Sequence, residues 1–148
     1  MPGSSGELEA RLARLEDLEE IRQLFVDYGR YLDRGDLDAY GAIFAEEGEL
    51  LLGPLGRAKG RDAIRALMAP VVEGTGGNSF HLITAPVIEL DGDRARSNVQ
   101  WTALTRGPDG RPAMTMFGHH EDELVREDGR WRIARRKGFV ELPSAYPS

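Results

Sequence analysis

Cysteine is absent from the 148 residues, which excludes disulfides, thiol nucleophiles and thiolate-ligated metals. Histidine is scarce: His81, His119 and His120 are the only three, so imidazole chemistry has few places to be. No apolar run approaches the roughly 20 residues of a membrane span. The opening MPGSSGELEARLARLEDLEE lacks the apolar stretch of a signal peptide. Basic clusters are missing too. Net charge is −6, whereas a nucleic-acid surface needs clustered cations. The one short basic run, Arg135, Arg136 and Lys137, follows a strand-like stretch and reads mostly as a solvated face. The expectation is a cytoplasmic protein with neither a membrane nor a nucleic-acid partner.

What is present suits one compact domain: 41% hydrophobic and 30% charged residues, ordinary values for a globular chain. Residues 1–6 read as a disordered leader and 7–148 as the domain. Over 7–33, Leu8, Leu12, Leu15, Leu18, Ile21, Leu24, Phe25, Tyr28 and Leu32 recur at helical steps. Gly35 sits where a C-cap belongs, and Asp36 can cap a second helix over 37–48. A short strand over 49–53, a turn-rich loop and a third helix over 61–72 follow. Four strands then run over 80–90, 94–106, 112–126 and 130–141, joined at DGD, GPDG and EDGR. Helices first and an antiparallel meander after them is an α+β plan. It implies a cone-shaped curved antiparallel sheet wrapped over N-terminal helices, with an apolar small-molecule site at the open end.

Few ionisable residues sit in apolar surroundings. Tyr28 lies on the stripe of the first helix and Asp33 at its end, about 140° apart on an ideal helix. His81 opens the first long strand. Of His119 and His120, strand alternation lets only one face inward. Gly29, one turn before Asp33, costs about 1 kcal/mol of helix propensity relative to alanine; a gap beside the carboxylate would explain it. His81, His120 and Asp33 could in principle hold zinc, but nothing in their spacing is metal-like, and no metal or cofactor is expected.

The run LEDLEEIRQLFVDYGRYLDRGDLDAYGAIFAEEGEL, the later GRDAIRALM, His81 leading into PVIELDGDRA, and the closing DELVREDGRWRIARR together resemble the SnoaL-like branch of the nuclear-transport-factor-2-like superfamily. The resemblance spans nearly the whole domain and implies its cystatin-like α+β roll. It also implies mostly cofactor-free enzymes on apolar, often ring-shaped molecules, among them scytalone dehydratase, bile-acid dehydratase, hexachlorocyclohexane dehydrochlorinase and polyketide cyclases. In such dehydratases an aspartate ending the first helix pairs with a histidine on the first long strand. Asp33 and His81 stand at those positions, and Tyr28 stands where bile-acid dehydratase-like members carry a tyrosine.

The implied activity is a lyase or isomerase, most simply the elimination of water from a cyclic, polyketide- or steroid-like substrate. His81 would be the base, Asp33 its orienter and Tyr28 a hydrogen-bond donor. His120, Trp101, Met116, Leu51 and Phe139 are the expected lining. The resemblance further implies a homodimer or homotrimer through the outer sheet face. Three positions depart from the pattern: Leu104 where bile-acid enzymes carry a second acid, Ala85 where asparagine is common, and Gly118-His119-His120 where Gly-Arg-Tyr is common. Two alternatives stand beside the enzyme reading. One is a non-catalytic binding or assembly domain. The other is an epoxide hydrolase, disfavoured because strands 80–90 and 94–106 lack its arginine-bridged aspartates.

Overall fold

The computed structural model describes residues 3–143. Helix α1 spans Ser4–Arg34. It takes in Ser4–Gly6, which the sequence reading left in a disordered leader, with Glu7 N–H bonding the Gly3 carbonyl; residues 1 and 2 lie outside the described residues. The apolar stripe is as spaced in the sequence, but only its second half is covered. Ile21, Leu24, Phe25, Tyr28 and Leu32 are buried, while Leu8, Leu12 and Leu15 are exposed. The boundary falls at Asp17. Its carboxylate accepts hydrogen bonds from Trp131 Nε1 (2.9 Å) and Arg126 Nη2 (2.6 Å). Glu20 accepts the backbone N–H of Trp131. These contacts fasten the helix to the sheet.

Gly35 ends α1 at φ +72°, the left-handed geometry glycine takes without a Cβ penalty. The Asp36 side chain accepts from Ala39 N–H and opens α2, Leu37–Ala42. The expected helix to residue 48 stops short here, because the chain turns extended at Phe44. Strand β1 (Phe44–Leu51) pairs parallel with β6, and tertiary pairing overrides the helical pattern. The expected loop then contains a 3₁₀ turn, Gly53–Leu55, and a short strand β2, Arg57–Lys59. Helix α3 covers Arg61–Thr75. The long strands are β3 (Ser79–Asp91), β4 (Arg94–Arg106), β5 (Pro112–Glu127) and β6 (Arg130–Leu142).

The sheet order is β2-β1-β6-β5-β4-β3. The four-strand meander is antiparallel as expected; the parallel β1–β6 pair makes the whole sheet mixed. Three helices pack on its concave side, and the core lies between them, around Phe25, Tyr40, Phe44, Ile64 and Trp131. Side chains of this size contribute about 1.5–3 kcal/mol each when fully buried.

Two irregularities decide what faces that core. In β3 the register shifts between Thr84 and Val87, where Ala85 adopts φ +51°, a conformation that disfavours a Cβ. In β6, Leu124 pairs with Ile133 but Glu123 pairs with Arg135. Ala134 is therefore an extra residue that reverses the inward parity beyond it. Trp131 and Ile133 face the core, and so does Arg136 rather than Arg135. Arg136 is 0% exposed, which corrects the reading of the basic run as mostly a solvated face at this position. The opposite face carries apolar rows, Phe80–Leu104–Met114 and Leu82–Thr102–Phe117–Leu142, with Phe80, Leu82, Met114 and Leu142 exposed.

Candidate active site

Asp33 ends α1 against the start of β3. Its Oδ2 accepts the backbone N–H of His81 at 3.0 Å, and its Oδ1 lies 2.7 Å from His81 Nδ1. An ionised carboxylate can only accept, so Nδ1 carries the proton and donates it. Nε2 is then the lone-pair nitrogen. The pair is sheltered yet reachable, with side chains 22% and 16% exposed. Gly29 makes the approach possible: a Cβ there would lie 3.2 Å from His81 Cβ and 3.4 Å from Ile83 Cγ1. The helix gives up propensity at Gly29 to let α1 close on β3.

Facing inward, the strands present rows of side chains. His81, Ala103 and Met116 form one row, and Trp101 with Gly118 the next. Val99, His120 and Gly138 follow, then Ser97, Asp122 and Arg136. A Cβ on Gly118 would collide with the Phe139 carbonyl oxygen and the Trp101 ring, so glycine lets the indole lie flat on β5. Ala103, not Leu104, stands opposite His81; Leu104 pairs with Phe80 on the outer face. Neither position supplies a second acid.

The last of these rows is a buried ion pair that sequence reasoning missed. Arg136 Nε and Nη2 donate to Asp122 Oδ1 and Oδ2 at 2.7 and 2.9 Å, and Ser97 Oγ donates to Oδ2 at 2.9 Å. Burial opposes the arginine's charge, but Asp122 more than offsets it and holds the guanidinium protonated. The guanidinium lies 4.4 Å from the Tyr28 ring centroid and 5.4 Å from that of Phe25.

Tyr28 joins this inner cluster rather than the Asp33–His81 pair. Its ring sits 5.0 Å from Tyr40 and 5.2 Å from His120. Burial raises its hydroxyl's pKa, with nearby Arg136 opposing in part, so Tyr28 stays a protonated donor. Of the neighbouring histidines, His120 faces in. It is buried between Tyr28 and Trp101, with its ring stacked 5.8 Å from the indole. His119 faces out, bonded to Glu141 at 2.6 Å and stacked on Phe139 at 4.6 Å. Of the expected lining, then, His120, Trp101 and Met116 share the concave face. Phe139 lies outside with His119. Leu51 alternates outward, because Leu50 is the residue opposite Arg136 and is fully buried. A separate groove of about 430 Å³ lies at the far end of the hairpins, between Glu89, Arg94, Arg96 and Glu123; its alternating charges suit solvent.

Burial, then the charges of Arg136 and His81, hold the His120 pKa well below its usual value. A group that resists protonation only when folded binds more protons unfolded below about pH 6.5, so stability rises with pH there. Acidification from pH 7.5 to 5 is expected to destabilise the wild type, by up to about 1.4 kcal/mol per pH unit. His120→Phe should flatten that dependence. Urea denaturation of both proteins at the two pH values checks it; equal slopes would refute the assignment.

A model of the SnoaL-like domain matches residues 13–137. The chain belongs to the SnoaL-like family. A relative of this SnoaL-like chain, the uncharacterized Mycobacterium tuberculosis protein Rv2910c, is 28% identical over 127 residues, covering 84% of this chain and 86% of its own. An NTF2-like protein with a cystatin-like fold from Novosphingobium aromaticivorans is 28% identical, covers 93% of this chain and 90% of its own, and superposes with a TM-score of 0.85. A hexachlorocyclohexane dehydrochlorinase, LinA type 2, shares the fold at 18% identity, covering 93% and 97%, with a TM-score of 0.78. Among the described residues of this SnoaL-like chain, no helix is long and apolar enough to cross a membrane. Among the described residues, no group of three or more histidine or carboxylate side chains is placed to hold a metal.

Proposed function

We propose that the protein is a cofactor-independent lyase or isomerase acting on a small apolar cyclic molecule, with dehydration as the reaction. The observation that carries this is the double contact of Asp33 with His81. It fixes both the ring's orientation and its tautomer, and leaves Nε2 as a base. His81 removes a proton beside the leaving group, Asp33 stabilises the imidazolium that forms, and Tyr28 donates from the inner wall. Met116, Trp101 and His120 shape the apolar side of the site. Self-association through the exposed apolar rows of the outer sheet face is part of the same reading.

The test is a panel of cyclic alcohols and β-hydroxy ketones, followed by the ultraviolet absorbance of the conjugated product. Turnover of any member supports the assignment. Binding without turnover throughout would favour the alternative, a small-molecule binding domain. The epoxide-hydrolase alternative needs two carboxylates on one arginine; among the described residues Arg136 pairs with the Asp122 carboxylate alone, and Ser97 donates to that same carboxylate.

A further inference from the structure

The outer arm of α1 carries an apolar stripe that its own chain does not cover. Leu8, Leu12 and Leu15 are each more than half exposed. At about 100° per residue they fall within about 60° of one another, a narrow stripe rather than the broad apolar face of a core helix. Asp17 projects from the opposite side, about 180° around from Leu8, and Asp17 is the residue that bonds Trp131 and Arg126 of the sheet. Ile21 and Tyr28, which enter the core, lie within about 40° of Asp17 around the helix. The sheet that holds Asp17 therefore cannot also cover the leucines. Their spacing, four residues and then three, is the d-a-d step of a coiled-coil seam. Ser5 and Glu19 fall at the a positions on either side.

We propose that the outer arms of two copies of this chain pair in parallel and in register, leucine against leucine. Charge sets the orientation. With the leucines at a and d, Glu9 and Glu16 fall at e and Arg11 at g. In a parallel pair a g residue faces the e residue five positions on in the other helix, so Arg11 meets Glu16 of the second copy, twice by symmetry. An antiparallel pair sets e against e and g against g, which brings glutamate to glutamate. The domains leave room for the parallel pair, because each hangs on the Asp17 side of its arm, away from the seam. Glu19 would face its own copy at the next a position, so the seam ends there and the helices part before the domains. A lipid surface would call for lysines and arginines beside the stripe, whereas the arm mixes Glu7, Glu9 and Glu16 with Arg11 and Arg14. In a single copy the arm stands open to solvent. Three leucine layers are few, so pairing grows with protein concentration. Neither the Asp33–His81 pair nor the outer sheet face takes part.

The chain has no cysteine, so one introduced thiol reports on one position. The whole chain carrying Ser5→Cys, on the seam, or Ala10→Cys, on the far side of the arm, is oxidised at equal concentration. Disulfide-linked dimer is followed on non-reducing gels. A parallel, in-register pair sets residue 5 beside its own copy, so Ser5→Cys is expected to link about ten times faster than Ala10→Cys. Adding Leu12→Glu or Arg11→Glu should abolish that advantage. Arg11→Glu together with Glu16→Arg should restore it, because the swapped pair is again opposite in sign. Leu12 lies outside the core, and circular dichroism should show every variant folded. Equal rates at the two positions, or an advantage that survives Leu12→Glu, would overturn the pairing. No recovery in the double swap would overturn its parallel sense.

Discussion

Replacing His81 by glutamine is expected to lower kcat by about 10²–10⁴, the range a positioned general base supplies, with folding intact. The fold should survive because the Asp33 contact to the residue-81 backbone N–H does not depend on the side chain. Glutamine can still donate to Oδ1, but it offers no basic nitrogen at the position of Nε2. Asp33→Asn separates orientation from packing. The amide it introduces can donate to Nδ1, which moves the ring proton to Nε2 and blocks the base. A comparable loss of kcat is expected, with little change in KM. Steady-state kinetics on any substrate the panel identifies, with circular dichroism to confirm folding, makes the comparison. If His81→Gln keeps wild-type kcat, the dyad is a polar anchor only.

Arg136→Met is expected to cost about 3–5 kcal/mol, the penalty for leaving a buried partner charge unpaired. That is a large share of the roughly 5–15 kcal/mol that holds most domains folded. The cost comes from Asp122, whose carboxylate would keep only the Ser97 hydroxyl. The double variant Asp122→Leu, Arg136→Met removes both charges and should recover most of the loss, since buried pairs replaced by apolar groups are often neutral or better. Urea midpoints for the two singles and the double provide the cycle. Additive losses would mean that the pair is not coupled, against its bidentate geometry.

The contrast between His81 and Arg136 shows what the sequence could carry. Asp33 and His81 are legible because one ends a periodic helix and the other opens an apolar strand, and those elements sit where the periodicity puts them. The helix caps at Gly35 and Asp36 are legible for the same local reason. Arg136 is not. Alternation from Trp131 and Ile133 points to residue 135, and only the bulge at Ala134 turns the next arginine inward. Bulges are set by how a strand registers against its neighbour, here β5, and leave no mark in the strand's own alternation. Leu51 fails in the same way: three leucines in a row carry no parity until β1 pairs with β6. Its parallel pairing also explains why the helical pattern over residues 43–48 gives way to a strand. His120 was half legible, since alternation allowed one of two neighbours inward without saying which.

The division of α1 at Asp17 gives one element two kinetic characters. Residues 3–16 are exposed, and a helix of that length held by local propensity is marginal in water. Its amides open by fraying, without unfolding anything else. Beyond Asp17 the same helix is clamped by Trp131 and Arg126 and opens only with the sheet. Amide hydrogens along this single rod therefore exchange on a steep gradient. They are fast in the outer arm and slow where Asp33 holds His81, so the end that carries the proposed dyad is also the end that moves least.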